Sequence, residues 1–239
     1  MWREKLGLVG GAARQRGRTH MLGRLARPFV RCTLAGLTAR HATMSAPLPT
    51  TVPVLVLPGL GGSEAEHWQS LWQDEAGFAR VQQDSWTAPN LDDWMAQLTE
   101  AVAAAPSPPL LLCHSLGGVL AAHYLASGAD AKASVAGAFL VAPPDLDRLD
   151  TRSLDDETVG CLETFRPLPR QPLGVPSVVV TSTTDAYLTT QQAAQLAEEW
   201  GATLCTAEAG GHINAASGCG PWPEGRRLLA DLVARIGAL

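Results

Sequence analysis

No CxxC spacing occurs among the five cysteines, Cys32, Cys113, Cys161, Cys205 and Cys219. An odd, scattered set excludes a disulfide frame or a cysteine zinc site and fits free thiols in a reducing, cytoplasmic compartment. Charge is sparse as well, at 17% of residues, and aromatic rings supply only 5%. Low charge beside 46% apolar residues excludes a disordered chain, and collagen-like and coiled-coil classes are excluded by composition too. An uninterrupted membrane-spanning run is also missing. Residues 101–129 lack Asp, Glu, Lys and Arg, but Pro106, Pro108, Pro109 and the CHSLGG of 113–118 break the stretch. A spanning helix needs about 20 continuous apolar residues, so two buried elements joined by a turn are expected, and no membrane partner.

What is present suits one domain with a tail: 239 residues carry enough apolar surface to fold without staples. The net charge of −5 hides a division. Residues 1–44 hold nine Lys/Arg and one acid, whereas residues 45–239 hold nine Lys/Arg and 22 Asp/Glu. An acidic body is a poor partner for nucleic acid. The basic segment 1–44 is read as an extension outside the fold, either preceding a true start at Met44 or acting as a disordered, targeting or basic arm. The domain is expected over 45–239.

Within it, short β-rich runs alternate with helical patterns. Strands are expected at 52–57, 78–83, 109–113, 135–142, 176–181 and 202–206. The run VPVLVL at 52–57 is apolar throughout, as in a strand buried on both faces. Leu91, Trp94, Met95, Leu98 and Val102 recur at helical spacing behind Asn90, a good N-cap. Helices are also expected at 116–127, from Thr189 (a capping box with Gln192) to Trp200-Gly201, and along the Leu228, Leu229, Leu232, Val233, Ile236 stripe. The pattern predicts a doubly wound, mostly parallel six-stranded α/β sheet. One long connection, 143–175, reads as a binding loop or lid.

The chemistry collects where strands end. At 110–118, LLLCHSLGG, an apolar strand runs into Ser115 and small residues follow as a helix begins. That is a nucleophile elbow, with Cys113 standing where the first Gly of GxSxG is usual. It puts the serine at a helix N-terminus, where developing negative charge is favoured. The serine needs a base. His20 and His41 lie in the tail, His114 is adjacent to the serine, His123 sits about 12 Å along the helix, and His67 beside Trp68 suggests a structural role. His212, in the glycine-rich loop GGHIN before the last helix, remains as the expected base. The acid should fall between them in the chain order Ser, Asp, His. Asp185 is preferred, with Asp145 as the rival and an Asx-turn as the plain alternative for each. Two N–H donors for an oxyanion are expected from Leu116 and from Leu60 or Gly61 in PGLGGS, residues 58–63. That loop lacks the lysine of a phosphate-binding GxxxxGK motif. No cofactor or metal site is expected, because the histidines and cysteines show no ligand spacing.

Residues 57–69 (LPGLGGSEAEHWQ) and 211–225 (GHINAASGCGPWPEG), with 113–118 and 181–187 between them, closely resemble the YdeN-like family of small α/β-hydrolases. This family includes retinoblastoma-binding protein 9. The resemblance covers about residues 52–238 and implies an α/β-hydrolase fold without a large cap domain. It also implies a serine-hydrolase triad carried by Ser115, Asp185 and His212. The expected function is a serine hydrolase of small esters or related acyl compounds. The family's association with protein binding makes a catalytically weak interaction module the alternative, with a partner the sequence does not specify.

Overall fold

Apolar runs that face helices on both sides settle into parallel strands, and among the described residues of the computed structural model seven strands form one sheet. The described residues are 31–34, 47–49 and 51–238. The strands are β1 Arg31–Leu34, β2 Val54–Leu57, β3 Ala79–Arg80, β4 Leu110–His114, β5 Gly137–Val141, β6 Ser177–Ser182 and β7 Thr203–Ala207. Their order is β1-β7-β6-β5-β4-β2-β3, and every neighbouring pair is parallel. Six of them are the expected strands with shifted ends; the strand expected at 78–83 shrinks to two paired residues.

A seventh strand adjoins the six expected ones. Arg31–Leu34 lies in the basic segment set aside as an extension, yet its backbone pairs with β7 from Arg31↔Leu204 to Leu34↔Ala207. The rest of the segment, 1–30 and 35–44, lies outside the described residues, as do His20 and His41.

Among the described residues seven helices flank the sheet: α1 Trp68–Ala76, α2 Leu91–Ala104, α3 Leu116–Ala126, α4 Ala129–Ala133, α5 Asp156–Glu163, α6 Thr190–Trp200 and α7 Pro223–Ile236. Alternating strand residues sort into two cores. Leu55, Leu57, Leu111, Cys113 and Leu140 pack with α2, α3 and α6 on one face. Val54, Val56, Leu110, Leu112 and Phe139 pack with α1 and α7 on the other. All five residues of β4 are buried. Truncating one such leucine to Ala costs about 2–5 kcal/mol, a large part of a domain's net stability of about 5–15 kcal/mol.

Local chemistry sets the helix ends. Asn90 Oδ1 accepts from the Asp92 and Asp93 N–H groups, and Thr189 with Gln192 closes the capping box. Helix α6 stops at Gly201 with φ 65°, a left-handed value that glycine adopts without strain. The connection over 143–175 is more ordered than a plain loop. It holds a 3₁₀ turn at Leu146–Arg148 and the short helix α5, and forms no separate cap domain. No helix among the described residues is long and apolar enough to cross a membrane. Cys113, Cys161 and Cys219 are free thiols.

Strand order then dictates where a ligand goes. The chain leaves β2 toward β3 on one side and returns to β4 on the other, so β2 and β4 flank the switch point of the sheet. Ligands in such sheets bind in the crevice at the carboxyl ends of the strands at that point.

Candidate active site

The end of β4 delivers Ser115 into this crevice. Ser115 has φ 51° and ψ −125°, a conformation a non-glycine residue adopts only under constraint. The constraint is visible: Ser115 N–H donates to Val141 O at 2.9 Å, and Gly118 N–H donates to Ser115 O at 2.8 Å. Two glycines make room for the turn. A Cβ on Gly59 would lie 2.8 Å from Ser115 Cβ, and one on Gly117 would lie 2.2 Å from Leu57 O. Cys113, in the place of the usual glycine, points into the core and is fully buried. Burial there pushes its thiol well above the ordinary range.

The other two expected residues converge on the serine. His212 Nε2 lies 3.0 Å from Ser115 Oγ, and His212 Nδ1 lies 3.0 and 3.1 Å from the two carboxylate oxygens of Asp185. The Asp185 side chain is fully buried and the His212 side chain 12% exposed. Asp185 also makes the Asx-turn of the plain alternative, its Oδ1 accepting from Tyr187 N–H at 2.9 Å. One carboxylate thus makes the Asx-turn and reaches His212 at the same time.

The rival, Asp145, is also fully buried but is held elsewhere. Its oxygens accept from Arg170 Nη2 at 2.5 Å and Arg148 Nη1 at 3.2 Å. Arg170 in turn reaches Asp147 and Glu199, both at 3.0 Å. Asp145 therefore anchors the start of the 143–175 connection and does not face His212.

The glycine-rich loop that carries His212 is pinned by hydrogen bonds. His212 N–H donates to Ser217 Oγ at 3.1 Å, and Gly211 N–H donates to Thr184 Oγ1 at 3.0 Å, tying the loop to the segment that carries Asp185. Trp68 Nε1–H donates to Ile213 O at 2.9 Å. His114, dismissed as adjacent to the nucleophile, supports the loop directly. Its Nε2 lies 2.9 Å from His212 O, and since a carbonyl only accepts, Nε2 carries the proton. Its ring meets His212 edge-on with centroids 4.9 Å apart. His67 packs behind it at 4.6 Å and caps α1, its Nδ1 accepting from Gln69 N–H.

Both supporting histidines are kept neutral. Burial, then the charges of Arg80 and His212, lowers His67 to about 4. Burial, then the His212 and His67 charges, holds His114 well below its usual value. Near neutral pH no charged imidazole therefore stands behind His212.

The two candidate donors, Leu60 and Gly61, differ in their hydrogen bonds. Gly61 N–H is engaged by Trp86 O at 2.7 Å and Gly62 N–H by Gly59 O at 3.0 Å. Among the described residues, the Leu60 and Leu116 N–H groups donate to no protein acceptor. Both residues line a cavity of about 240 Å³ that also holds Ser115 and His212. Its apolar wall comes from the 143–175 connection, through Leu146, Leu149, Leu154 and Leu162. Leu60 and Tyr187, exposed by 40% and 42%, line it too. Among the described residues no group of three or more His, Cys, Asp or Glu is placed to hold a metal ion.

A serine, an imidazole and a buried carboxylate linked in series beside two free N–H groups can carry out acyl transfer. The family comparison points the same way: the serine hydrolase family model matches residues 54–231. This chain belongs to the serine hydrolase family. Among solved structures, this serine hydrolase is similar to a YdeN-like hydrolase from Pectobacterium atrosepticum. The two share 29% identity over 77% of this chain and 91% of that one, with a TM-score of 0.66. The ydeN gene product of B. subtilis, 21% identical, aligns over 77% of this chain and all of its own, with a TM-score of 0.61. Esterase 2 of Thermogutta terrifontis, 18% identical, aligns over 79% of this chain and 84% of its own, with a TM-score of 0.57. At such low identity the last two relate by fold. No curated protein matches the sequence.

Proposed function

We propose that this serine hydrolase is an esterase of small acyl substrates, with Ser115, His212 and Asp185 as its catalytic triad. The observation that carries the reading is the unbroken chain from Ser115 Oγ through His212 to buried Asp185, at the wall of a half-apolar cavity. Ser115 Oγ attacks the ester carbonyl carbon while His212 Nε2 takes the hydroxyl proton. Asp185 holds the Nδ1–H and steadies the imidazolium, and the Leu116 and Leu60 N–H groups stabilise the oxyanion. The carbonyl re-forms, the C–O bond to the alcohol breaks, and His212 returns the proton to the leaving oxygen. Water then releases the acid by the same steps.

The cavity limits substrate size. At some 240 Å³ it lies at the small end of ligand pockets, which run to about 300–1,000 Å³. That favours short acyl chains against the leucine wall.

A fluorophosphonate probe and a p-nitrophenyl ester series from acetate to dodecanoate test the reading. The wild-type protein should be labelled at Ser115 and turn over short chains fastest. Folded Ser115→Ala protein should take no label and lose at least about 10⁴-fold in kcat. A folded wild-type protein that takes no label and cleaves none of the esters would favour the interaction-module alternative.

A further inference from the structure

The two N–H groups assigned to the oxyanion hole belong to different strands. Leu60 hangs from the end of β2 and Leu116 follows the end of β4. Their separation must hold to a few tenths of an ångström, because a donor works only at about 2.7–3.1 Å from the oxyanion. The ladder between the strands does not extend to either residue, since its last pair is Leu57↔Cys113.

A buried side chain sits across this gap. Gln69, the second residue of α1, is fully buried. Its Nε2 donates to Leu57 O at 3.2 Å, the last residue of β2, and to Leu112 O at 2.8 Å in β4, three residues before the nucleophile. Its Oε1 accepts from Ser63 Oγ at 2.7 Å, in the loop that carries Leu60. One amide thus uses both N–H groups and its oxygen on the two strands and the loop between which the oxyanion would sit. Ser63 is held from the far side as well, its carbonyl accepting from Ser70 Oγ at 2.9 Å and from Arg80 Nη1 at 3.2 Å. A residue that merely satisfied two strand-end carbonyls would have no reason to grip the loop.

We propose that Gln69 is a positioning residue that sets the spacing of the two halves of the oxyanion hole, with Ser63 as its contact to the Leu60 loop. The inference rests on the esterase reading above. Gln69 touches no substrate atom; it acts through Leu60 and Leu116. Losing it lets the loop drift from the elbow, which weakens the bond made to the oxyanion in the transition state more than it weakens ground-state binding. The effect therefore falls on kcat and spares KM.

The test compares the wild-type full chain with Gln69→Met, which keeps side-chain length and volume, and with Ser63→Ala, which releases only the loop. Each is assayed on p-nitrophenyl butyrate and by the rate of fluorophosphonate labelling, normalised to folded protein. Removing a whole oxyanion donor costs about 10²–10³-fold, so a displaced one should cost about tenfold to hundredfold in kcat for Gln69→Met. Ser63→Ala should lose about threefold, KM should stay within about twofold in both, and labelling should slow in parallel. Variants that melt earlier but keep wild-type kcat and labelling rates would overturn the inference, leaving Gln69 a strand clamp. So would a selective rise in KM. Should Gln69→Met fail to fold, an unchanged kcat in Ser63→Ala overturns it alone. A folded wild-type protein that takes no label defeats the esterase reading and this inference with it, whereas a labelled wild type with unaffected variants defeats only the inference.

Discussion

Asp145 and Asp185 follow the adjacent strands β5 and β6, and both carboxylates are fully buried, yet they have opposite occupations. Asp145 faces two arginines, and its charge is neutralised on the spot by Arg170 and Arg148. Asp185 faces a ring whose charge can change, and its other bonds come from the turn it begins. A buried carboxylate beside permanent cations stabilises a frame; one beside an imidazole is arranged to favour a charge that comes and goes. The same division runs through the histidines. His114 and His67 are kept neutral and serve as struts, while His212 alone touches both Ser115 and Asp185.

Exchanging each aspartate for Asn tests this difference most severely. Asp185→Asn should lower kcat by about 10³–10⁴-fold, because the amide no longer favours the right tautomer or steadies the imidazolium. Its melting temperature should move little. Asp145→Asn should do the reverse, keeping kcat within about threefold of wild type while losing stability. Breaking a buried pair costs about 3–5 kcal/mol, but both arginines remain partly in water, which brings the expectation to about 2 kcal/mol. Parallel kinetics and urea titrations decide it. If Asp145→Asn is the greater kinetic lesion, the two carboxylates have been given each other's roles.

The same division explains how much was legible in the sequence. The elbow could be read because a buried strand, a serine and two small residues are local chemistry, and the Gly59 and Gly117 contacts show why bulk is excluded there. Asp185 could be preferred because strand order puts it beside β7 and the histidine loop. What escaped depends on partners distant in sequence. Gly61 and Leu60 look equivalent until Trp86 O engages one of them. The edge strand Arg31–Leu34 needs only backbone pairing on one side, so its composition carries no strand signature. Helix α5 buries only Leu162, too little for an apolar stripe to show. His114 was set aside by proximity in sequence, yet as the last residue of β4 it alternates onto the face of Leu110 and Leu112, where its ring reaches the carbonyl of His212.

The neutral histidine struts give a second, smaller effect, read in stability rather than rate. His67 titrates near 4 when folded and near 6.5 when unfolded, so the unfolded chain binds the extra proton between those values. The stabilisation is complete above about pH 6.5 and is lost as pH falls toward 4, on the order of 3 kcal/mol for this residue. His114 adds to it in the same direction. His67→Asn keeps an acceptor for the Gln69 N–H and removes the titrating group. Urea midpoints between pH 7 and 4.5 should fall more steeply in wild type than in His67→Asn. Equal slopes would mean that His67 is not held neutral and belongs with His212 rather than with the frame.

The smallest effect lies nearest the nucleophile, at Cys113, where frame and site are separated by two residues. Its side chain is fully buried between β4 and the α3 side of the core, and burial drives its thiol upward, so almost no thiolate forms near neutral pH. Cys113 should therefore react with iodoacetamide far more slowly than the half-buried Cys161. Cys113→Gly restores the usual GxSxG pattern without touching Ser115, and the backbone at the elbow is already fixed by the Val141 and Gly118 bonds. Its kcat should stay within about twofold of wild type. Stability should drop by roughly 1 kcal/mol, from backbone entropy and the loss of one small buried side chain. Rapid alkylation of native Cys113, with activity lost in step and protected by a bound ester analogue, would move this cysteine from the frame into the site.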